Sequence, residues 1–157
     1  MTFTHPVIHQ AIKADKKYLL RFYKSQRYYA RFMGGDTSYF IKSTINDDII
    51  ASVIISKIKS DNHQWFLHAV VVDHRYQKKG LATALVNYVV TLHSPFVCFA
   101  KKNLSSLYLQ AGMKVINTEH IDEKLSIELA SRYYLYIKKQ KDLTIFIKSS
   151  SRSLSNA

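Results

Sequence analysis

The chain has 157 residues, 47% of them hydrophobic, so it is long enough for one domain with a sizeable core. Its net charge of +12 attracts polyanions such as nucleic acid, acidic membrane surfaces or phosphorylated small molecules. No apolar run approaches the ~18 residues of a membrane span, and MTFTHPVIHQ lacks the features of a signal peptide. We therefore expect no membrane partner. The single cysteine, Cys98, excludes an internal disulfide and fits a reducing, cytoplasmic setting.

The first half of the chain predicts a strand and a helix, followed by antiparallel strands. Asp15 is placed to cap the helix, whose apolar side chains fall near one face. Turn-forming residues at 33–36, 46–48 and 60–63 separate the strands that follow. The segment 64–73 is almost continuously apolar, as in a strand buried on both faces. The predicted elements are strand 7–14, helix 15–29 with Tyr18, Leu19, Phe22 and Tyr23 on its apolar face, and strands 37–45, 49–58 and 64–73.

A helix over residues 80–92 and a strand over 96–100 come next. Pro95 ends this helix, because proline cannot continue one. The short connection from helix to strand indicates a crossover to a parallel neighbour in the sheet. The residues predicted to share one face of this helix are Leu81, Leu85, Tyr88, Val89 and Leu92.

The last third of the chain alternates further helices and strands. Asn103 is placed to cap a helix over 104–111, and Gly112 is placed to close it. The segment 122–139 has apolar residues at helical spacing, which favours a helix, although a strand over 132–139 is an alternative. Strands are predicted at 113–118 and 143–148.

The order of these elements predicts an α/β fold, more closely described as α+β with a mixed sheet. We expect a single domain over residues 1–148. The serine-rich tail 149–157 has little core material and is predicted to be disordered.

The segment YQKKGLATAL, residues 76–85, joins an apolar strand to a helix through a basic turn. The N–H groups in the first turn of a helix lack internal partners, and the helix dipole adds partial positive charge there. Gly80 permits close approach to the backbone, while Lys78 and Lys79 add charge. These features predict a phosphate or pyrophosphate site, with a solvated helix cap as the alternative. The pattern matches neither a P-loop nor the dinucleotide fingerprint.

Two motifs together resemble the GNAT superfamily of acyl-CoA-dependent N-acyltransferases. The segment VVVDHRYQKKGLATAL is similar to its acyl-CoA signature, Val-x4-Arg/Gln-x2-Gly-x-Gly/Ala. The segment NLSSLYLQAGMKVI is similar to its Leu/Phe-Tyr-x3-Gly-Phe pattern. The resemblance covers roughly residues 5–118, and the tract 119–148 matches weakly. The matching positions are Val72, Gln77, Gly80 and Ala82 in the first motif, and Leu107, Tyr108, Gly112 and, in place of Phe, Met113 in the second.

The resemblance implies a mostly antiparallel central sheet with a splayed parallel strand pair, flanking helices, acetyl-CoA as cosubstrate and no metal. In this family the pantetheine arm lies beside the splayed strands, and the pyrophosphate lies on the turn. Asn103 is two residues closer to the tyrosine than the usual asparagine of the family, so a helix cap is its alternative role. The implied cofactor-binding residues are Val70, Val72, Gln77, Lys78, Lys79, Gly80, Leu81, Ala82, Thr83 and Asn103.

The resemblance also implies catalytic roles. Tyr108 matches the tyrosine that protonates the departing CoA thiolate, and a core aromatic is its alternative role. An amine with a pKa of ~10.4 is mostly protonated at neutral pH, so a general base helps. Several members place a glutamate where this chain has Phe66. His68 points to the same face of the strand, so we predict it as the base, with a packed strand histidine as the alternative. Cys98 is predicted to be a packing residue.

The acceptor is predicted to be a primary amine on a small molecule or a protein. The segments 22–36 and 132–139 mix aromatic with basic residues, which suits an acidic or aromatic acceptor and also suits RNA. The alternatives are an aminoacyl-tRNA-acetylating toxin, or a non-catalytic protein of this fold that binds CoA or nucleic acid. A homodimer is implied by the resemblance only.

Overall fold

The computed structural model describes residues 5–32, 35–58 and 64–149. Within these ranges the strands form one seven-stranded sheet in the order β1-β2-β3-β4-β5-β7-β6. The strands are β1 His9–Gln10, β2 Thr37–Lys42, β3 Ile49–Lys57, β4 Trp65–Val72, β5 Phe96–Lys101, β6 Lys114–Ile116 and β7 Leu143–Lys148. The α-helices are α1 Lys16–Ser25, α2 Leu81–Leu92, α3 Ser105–Gln110, α4 Ile121–Lys124 and α5 Ile127–Lys139.

The sheet is mixed, as the sequence predicts. β4 runs parallel to β5, with Trp65–Leu67 opposite Phe96–Cys98. The pairs β1 with β2, β2 with β3, β5 with β7, and β6 with β7 are antiparallel. The parallel pair follows from α2, because the helix carries the chain back to the end of the sheet where β4 began. The predicted mixed α/β fold is thereby confirmed.

The described residues fall into two compact units. The first unit comprises residues within Met1–Ser56 and His68–Val89. In its core, α1 packs Phe22 and Tyr23 against strand residues Ile54 and Ala69. The buried residues of α1 lie at helical spacing and include Leu19, whereas Tyr18 is about half exposed, so its predicted place on the buried face is wrong.

The second unit comprises residues within Lys57–Leu67 and Val90–Ala157. Its core joins Phe66 and Val97 of the sheet to Leu129 and Tyr133 of α5. The prediction of one domain over 1–148 stays a prediction.

A buried glutamine fixes the break between α4 and α5. Gln64 Nε2 donates to the Lys124 carbonyl at 2.7 Å, and Gln64 Oε1 accepts from the Ser126 N–H at 2.9 Å. The Ser126 hydroxyl then accepts from the Leu129 N–H at 3.2 Å and caps α5. The helical prediction for 122–139 is therefore confirmed, with a break at Leu125–Ser126, and the alternative strand over 132–139 is wrong.

Several predicted boundaries are wrong near the N-terminus. The strand predicted at 7–14 is confined to His9–Gln10, and a 3-10 turn occupies Lys13–Asp15. Asp15 is the N-cap residue of α1 as predicted, but its carboxylate accepts from the Ile12 N–H at 2.8 Å and makes no cap bond to α1, because it closes the preceding turn. The helix predicted to reach residue 29 ends at Ser25, since Arg27 has a left-handed φ of 58°.

Asn103 does not cap α3. It lies in a 3-10 turn, Lys102–Leu104, and Leu104 is the N-cap of the helix without a side-chain cap bond. Gly112, by contrast, has a φ of 88° and closes α3 as predicted, because its left-handed conformation suits a helix C-terminus.

Two residues expected on the buried face of α2 are exposed. Tyr88 and Leu92 face solvent, and Val86 and Val90 are buried instead. The buried stripe of α2 therefore runs through pairs of adjacent residues one turn apart, Val86 beside Leu85 and Val90 beside Val89, and this turns Tyr88 and Leu92 away from the core. Leu81, Leu85 and Val89 are buried as predicted.

Some predicted features lie outside the described residues. They are the turn at 60–63, Met33 and Gly34 of the turn at 33–36, and residues 150–157 of the tail. In the part of the chain that the structure describes, no helix is long and apolar enough to cross a membrane.

Candidate active site

The junction between β4 and α2 is a turn with two left-handed residues. A 3-10 turn spans His74–Tyr76, and Lys78 and Gly80 follow with φ angles of 63° and 84°. The Gly80 carbonyl accepts from the Ala84 N–H at 3.0 Å, as the first hydrogen bond of α2. The first-turn N–H groups therefore point out of the helix N-terminus. A Cβ at Gly80 would meet no described atom within 4 Å, so the space beside this turn is open.

Asp73 holds the start of this turn. Its buried carboxylate accepts from the Arg75 N–H at 2.8 Å, from Arg75 Nε at 3.1 Å and from Arg75 Nη2 at 2.9 Å. The Asp73 N–H donates to the Ile50 carbonyl at 2.8 Å. The hydrogen bond from the Arg75 side chain holds the pKa of Asp73 below its usual range. Sequence analysis missed this role, although an aspartate followed by a short turn is a recognisable cap signal.

Two glutamine side chains support the same turn. Gln26 Oε1 accepts from the His74 N–H at 3.0 Å, which ties the loop after α1 to the turn. Gln77 Nε2 donates to the Val72 carbonyl at 3.3 Å. The Gln77 side chain is thus used within the protein, and its backbone N–H is the group left to consider for a ligand.

The first unit brings together most of the predicted cofactor-binding residues. Lys78 is exposed, Lys79 is half-buried, and Leu81 is buried, so Leu81 offers only its backbone to a ligand. Asn103 is exposed and belongs to the second unit. The predicted set within the first unit is Val70, Val72, Gln77, Lys78, Lys79, Gly80, Leu81, Ala82 and Thr83.

The middle of β4 is distorted at Ala69. This residue has a φ of 56°, which is left-handed and uncommon for a residue other than glycine. The Tyr23 hydroxyl donates to the Ala69 carbonyl at 2.8 Å. Val70 and Val72 follow as half-buried residues.

His68 lies in β4 just before this distortion. Its Nε2 is 2.9 Å from the Ser56 hydroxyl, and either atom can be the donor, depending on the tautomer. The side chain is half-buried. His68 Nε2 therefore has a hydrogen-bond partner within the protein. Phe66, at the position of the family's glutamate, is buried in the core of the second unit.

Tyr108 and Cys98 lie in the second unit. Tyr108 is only 4% exposed, and its ring is 5.1 Å from that of Phe146. Burial raises the pKa of the Cys98 thiol to about 12, and a hydrogen bond with Tyr108 works in the opposite direction. A neutral, buried thiol is a poor nucleophile, which agrees with the packing role predicted for Cys98.

Metal ligands are not clustered in the described ranges. Within residues 5–32, 35–58 and 64–149, no group of three or more His, Cys, Asp or Glu side chains is placed to hold a metal ion. His9 stacks on Phe40, with ring centroids 5.3 Å apart, so its ring has a packing role.

A model of the acetyltransferase (GNAT) family matches residues 7–112. This range contains β4, the turn and α2, together with Tyr108. No curated protein sequence matches the chain.

Solved structures share the fold at low sequence identity. N-acetylglutamate synthase from Neisseria gonorrhoeae, complexed with coenzyme A and N-acetyl-glutamate, matches with a TM-score of 0.66 and 10% identity, over 94% of this chain and 35% of that chain. The present chain thus spans about a third of that enzyme's length. The GNAT domain of S. lividans PAT matches with a TM-score of 0.60 and 13% identity, over 91% and 89% of the two chains. An IAA acetyltransferase from Bacillus cereus matches with a TM-score of 0.55 and 18% identity, over 72% and 79%.

The Asp73→Asn variant should lose about 1 kcal/mol of unfolding free energy at pH 7, a modest loss because Arg75 is solvent-exposed. The pKa of Asp73 is lowered in the folded chain. Its stabilisation is therefore complete above the ordinary Asp pKa of ~3.9 and disappears as the pH falls through the folded value. Urea unfolding from pH 7 to pH 3 should show the variant and the wild type converging at the acid end.

The matched control is Asp122→Asn, at an exposed carboxylate on α4. A gap between wild type and Asp73→Asn that stays constant over the whole pH range would contradict the assigned role of the Asp73 charge.

Proposed function

Because the chain belongs to the acetyltransferase (GNAT) family, we propose that it transfers an acetyl group from acetyl-CoA to a primary amine by direct attack in a ternary complex. The observation that carries this proposal is the turn between β4 and α2. It combines an open helix N-terminus, left-handed Lys78 and Gly80, and two lysines in one loop.

The turn suits the pyrophosphate of acetyl-CoA. The backbone N–H groups from Gln77 to Thr83 supply donors, and the helix dipole favours negative charge at this end of α2. Lys78 and Lys79 add positive charge beside these donors. The absence of a Cβ at Gly80 leaves room for a phosphate oxygen to approach the backbone.

The strand before the turn suits the pantetheine arm. The described pairing of β4 with β5 covers Trp65–Leu67, and β4 continues to Val72. In our proposal the arm hydrogen-bonds to the backbone of Val70 and Val72 in the manner of an added strand. The Val70 N–H is assigned to the thioester carbonyl, where a donor stabilises the oxyanion of the tetrahedral intermediate.

The reaction forms a C–N bond and breaks the C–S bond of the thioester. The amine loses a proton, for which His68 is the proposed acceptor, directly or through water or Ser56. The departing CoA thiolate gains a proton, for which Tyr108 is the proposed donor. Asn103 keeps its proposed role as a contact to CoA.

The acceptor is proposed to be acidic or aromatic. On α1, the exposed Tyr18 ring has Lys17 Nζ at 5.0 Å and the Arg21 guanidinium at 5.8 Å. Tyr29, in the loop that follows, is 88% exposed. Exposed aromatic rings can stack on planar groups such as RNA bases, and the neighbouring cations can pair with anionic groups such as phosphates. This surface supports acetylation of aminoacyl-tRNA as the second candidate function.

A cytoplasmic location and a homodimer stay predictions.

The double variant Lys78→Gln, Lys79→Gln should bind acetyl-CoA about tenfold more weakly, because a lost pair of charge-assisted phosphate contacts amounts to about 1.4 kcal/mol. Isothermal titration calorimetry on the full chain measures the affinity. Acetyl-pantetheine, which lacks the pyrophosphate, should bind wild type and variant equally.

Lys139→Gln on α5 is the control for net charge, because it removes a lysine at a distance in sequence from the turn. If this control weakens acetyl-CoA binding as much as the lysine pair in the turn does, the turn is not the pyrophosphate site.

The catalytic assignments predict different kinetic losses for Tyr108→Phe and His68→Gln. Tyr108→Phe should lower kcat about 10- to 100-fold at an unchanged acetyl-CoA affinity, since a proton donor contributes at least this much. His68→Gln keeps a hydrogen-bonding group near Ser56 but cannot take up a proton. It should remove the acid limb of the pH–rate profile.

Cys98→Ala removes the polar neighbour of Tyr108 and leaves its hydroxyl in place, so kcat should stay near that of the wild type. An unchanged pH–rate profile for His68→Gln, or loss of acetyl-CoA binding in Tyr108→Phe, would show that these side chains have structural roles.

An acceptor screen should identify the substrate class. Small amines, peptides and charged tRNA are incubated with acetyl-CoA, and the release of free CoA thiol is followed. We expect turnover with one class, and we expect Tyr18→Ala to reduce it. Acetyl-CoA binding without turnover on any amine would favour a non-catalytic CoA-binding protein. Salt-steep tRNA binding without turnover would favour a nucleic-acid-binding protein.

A further inference from the structure

The distortion in β4 needs a physical cause. Ala69 lies within a strand, is only 6% exposed, and has a φ of 56°. A left-handed conformation costs a non-glycine residue roughly 1–2 kcal/mol, and it persists only where the surrounding contacts impose it. The residues packed around Ala69 must therefore stabilise its left-handed conformation.

Tyr23 is the polar side chain that contacts Ala69 from α1. It is 1% exposed, and its hydroxyl donates to the Ala69 carbonyl at 2.8 Å. Burial raises the pKa of the Tyr23 phenol well above its usual range, so it remains a neutral donor at physiological pH. Three neighbouring aromatic rings pack around the Tyr23 ring. The distances between ring centroids are 5.5 Å to Phe22, 5.7 Å to Tyr28 and 6.3 Å to Phe32.

The geometry of the peptide bond transmits this contact to the next residue. The Ala69 carbonyl and the Val70 N–H belong to one planar, trans peptide group, so they point in opposite directions. When Tyr23 holds the oxygen, the Val70 N–H is directed away from Tyr23. A hydrogen bond to the carbonyl also polarises the peptide group and strengthens its N–H as a donor.

We propose that Tyr23 is a positioning residue for acetyl transfer, which holds Ala69 left-handed and thereby aims the Val70 N–H at the thioester carbonyl. The proposal rests on the proposed function, because it assigns the Val70 N–H to the reacting carbonyl. Tyr23 acts through the backbone of β4 and has no contact with substrate.

The first test is Tyr23→Phe, which removes one oxygen atom and keeps the ring in the core. A misdirected oxyanion donor should lower kcat by about 10- to 100-fold, less than the roughly 100- to 1,000-fold loss when such a donor is removed altogether. Acetyl-CoA affinity should change less than about threefold, because the turn between β4 and α2 keeps its hydrogen bonds to Asp73 and Gln26.

The matched control is Ser126→Ala, which also removes one buried hydroxyl oxygen. Ser126 lies in the second unit, outside the proposed site, and its hydroxyl accepts from the Leu129 N–H at 3.2 Å. Its loss should lower the melting temperature to a similar extent and leave kcat unchanged. An equal fall of kcat in both variants would mean that Tyr23 contributes only stability, and would overturn the proposal.

Rescue tests the conformation itself. Glycine adopts a left-handed φ without the steric penalty of alanine. The double variant Tyr23→Phe, Ala69→Gly should therefore recover part of the lost kcat. No recovery, together with an unchanged Val70 amide signal in Tyr23→Phe, would show that the hydrogen bond does not set the strand geometry.

An NMR measurement separates this proposal from the proposed function. In the wild type, the Tyr23 hydroxyl proton should exchange slowly with water and show a nuclear Overhauser contact to Ala69. In Tyr23→Phe, the Val70 amide shift should change, and in Ser126→Ala it should not. If the wild-type protein transfers no acetyl group, the proposed function is refuted. The Val70 amide shift still decides whether Tyr23 holds the strand, because it can be measured without turnover. A rapidly exchanging Tyr23 hydroxyl would overturn the proposal without any variant.

Discussion

The hydrogen bond from Tyr23 to Ala69 is the interaction on which the candidate site most depends. Strand β4 has to leave its regular extended form at one residue, and alanine adopts the required left-handed conformation only at a cost. A buried donor from α1 offsets that cost by satisfying the displaced carbonyl. The core of the first unit thus does more than bury apolar surface, because it sets the direction of backbone groups in β4.

A second constraint operates a few residues later, at the turn into α2. Asp73 accepts three hydrogen bonds from Arg75, and Gln26 holds the N–H of His74. These contacts hold the segment that leads to the exposed N-terminus of α2. An anion site made of backbone donors needs such supports, since the donors bind well only if they are held in place before the ligand arrives.

The sequence predicted the elements well where periodicity was strong. The helix over 80–92, the strand over 143–148 and the closing role of Gly112 were all visible in the order of residues, because each depends on neighbours along the chain. Predictions failed where a polar residue near a helix start could either cap the helix or bond within a neighbouring 3-10 turn. Asp15 is the N-cap residue of α1 as predicted, but its carboxylate bonds to the Ile12 N–H of the preceding 3-10 turn, whereas Asn103 lies within such a turn. A cap residue is defined by where the helix begins, and packing decides that point.

The sequence by itself determined the family, through the glycine-containing turn behind Val72 and the tyrosine motif at Tyr108, because these motifs depend on residue type and spacing. Only the tertiary structure decided that Ala69 is left-handed, that the Tyr23 hydroxyl donates to its carbonyl, and that the Ser56 hydroxyl lies 2.9 Å from His68 Nε2. Tyr23 and Ala69 are 46 residues apart, so no local pattern joins them. Contacts of this kind arise when α1 packs on the sheet, and the chain order carries no direct signal for them.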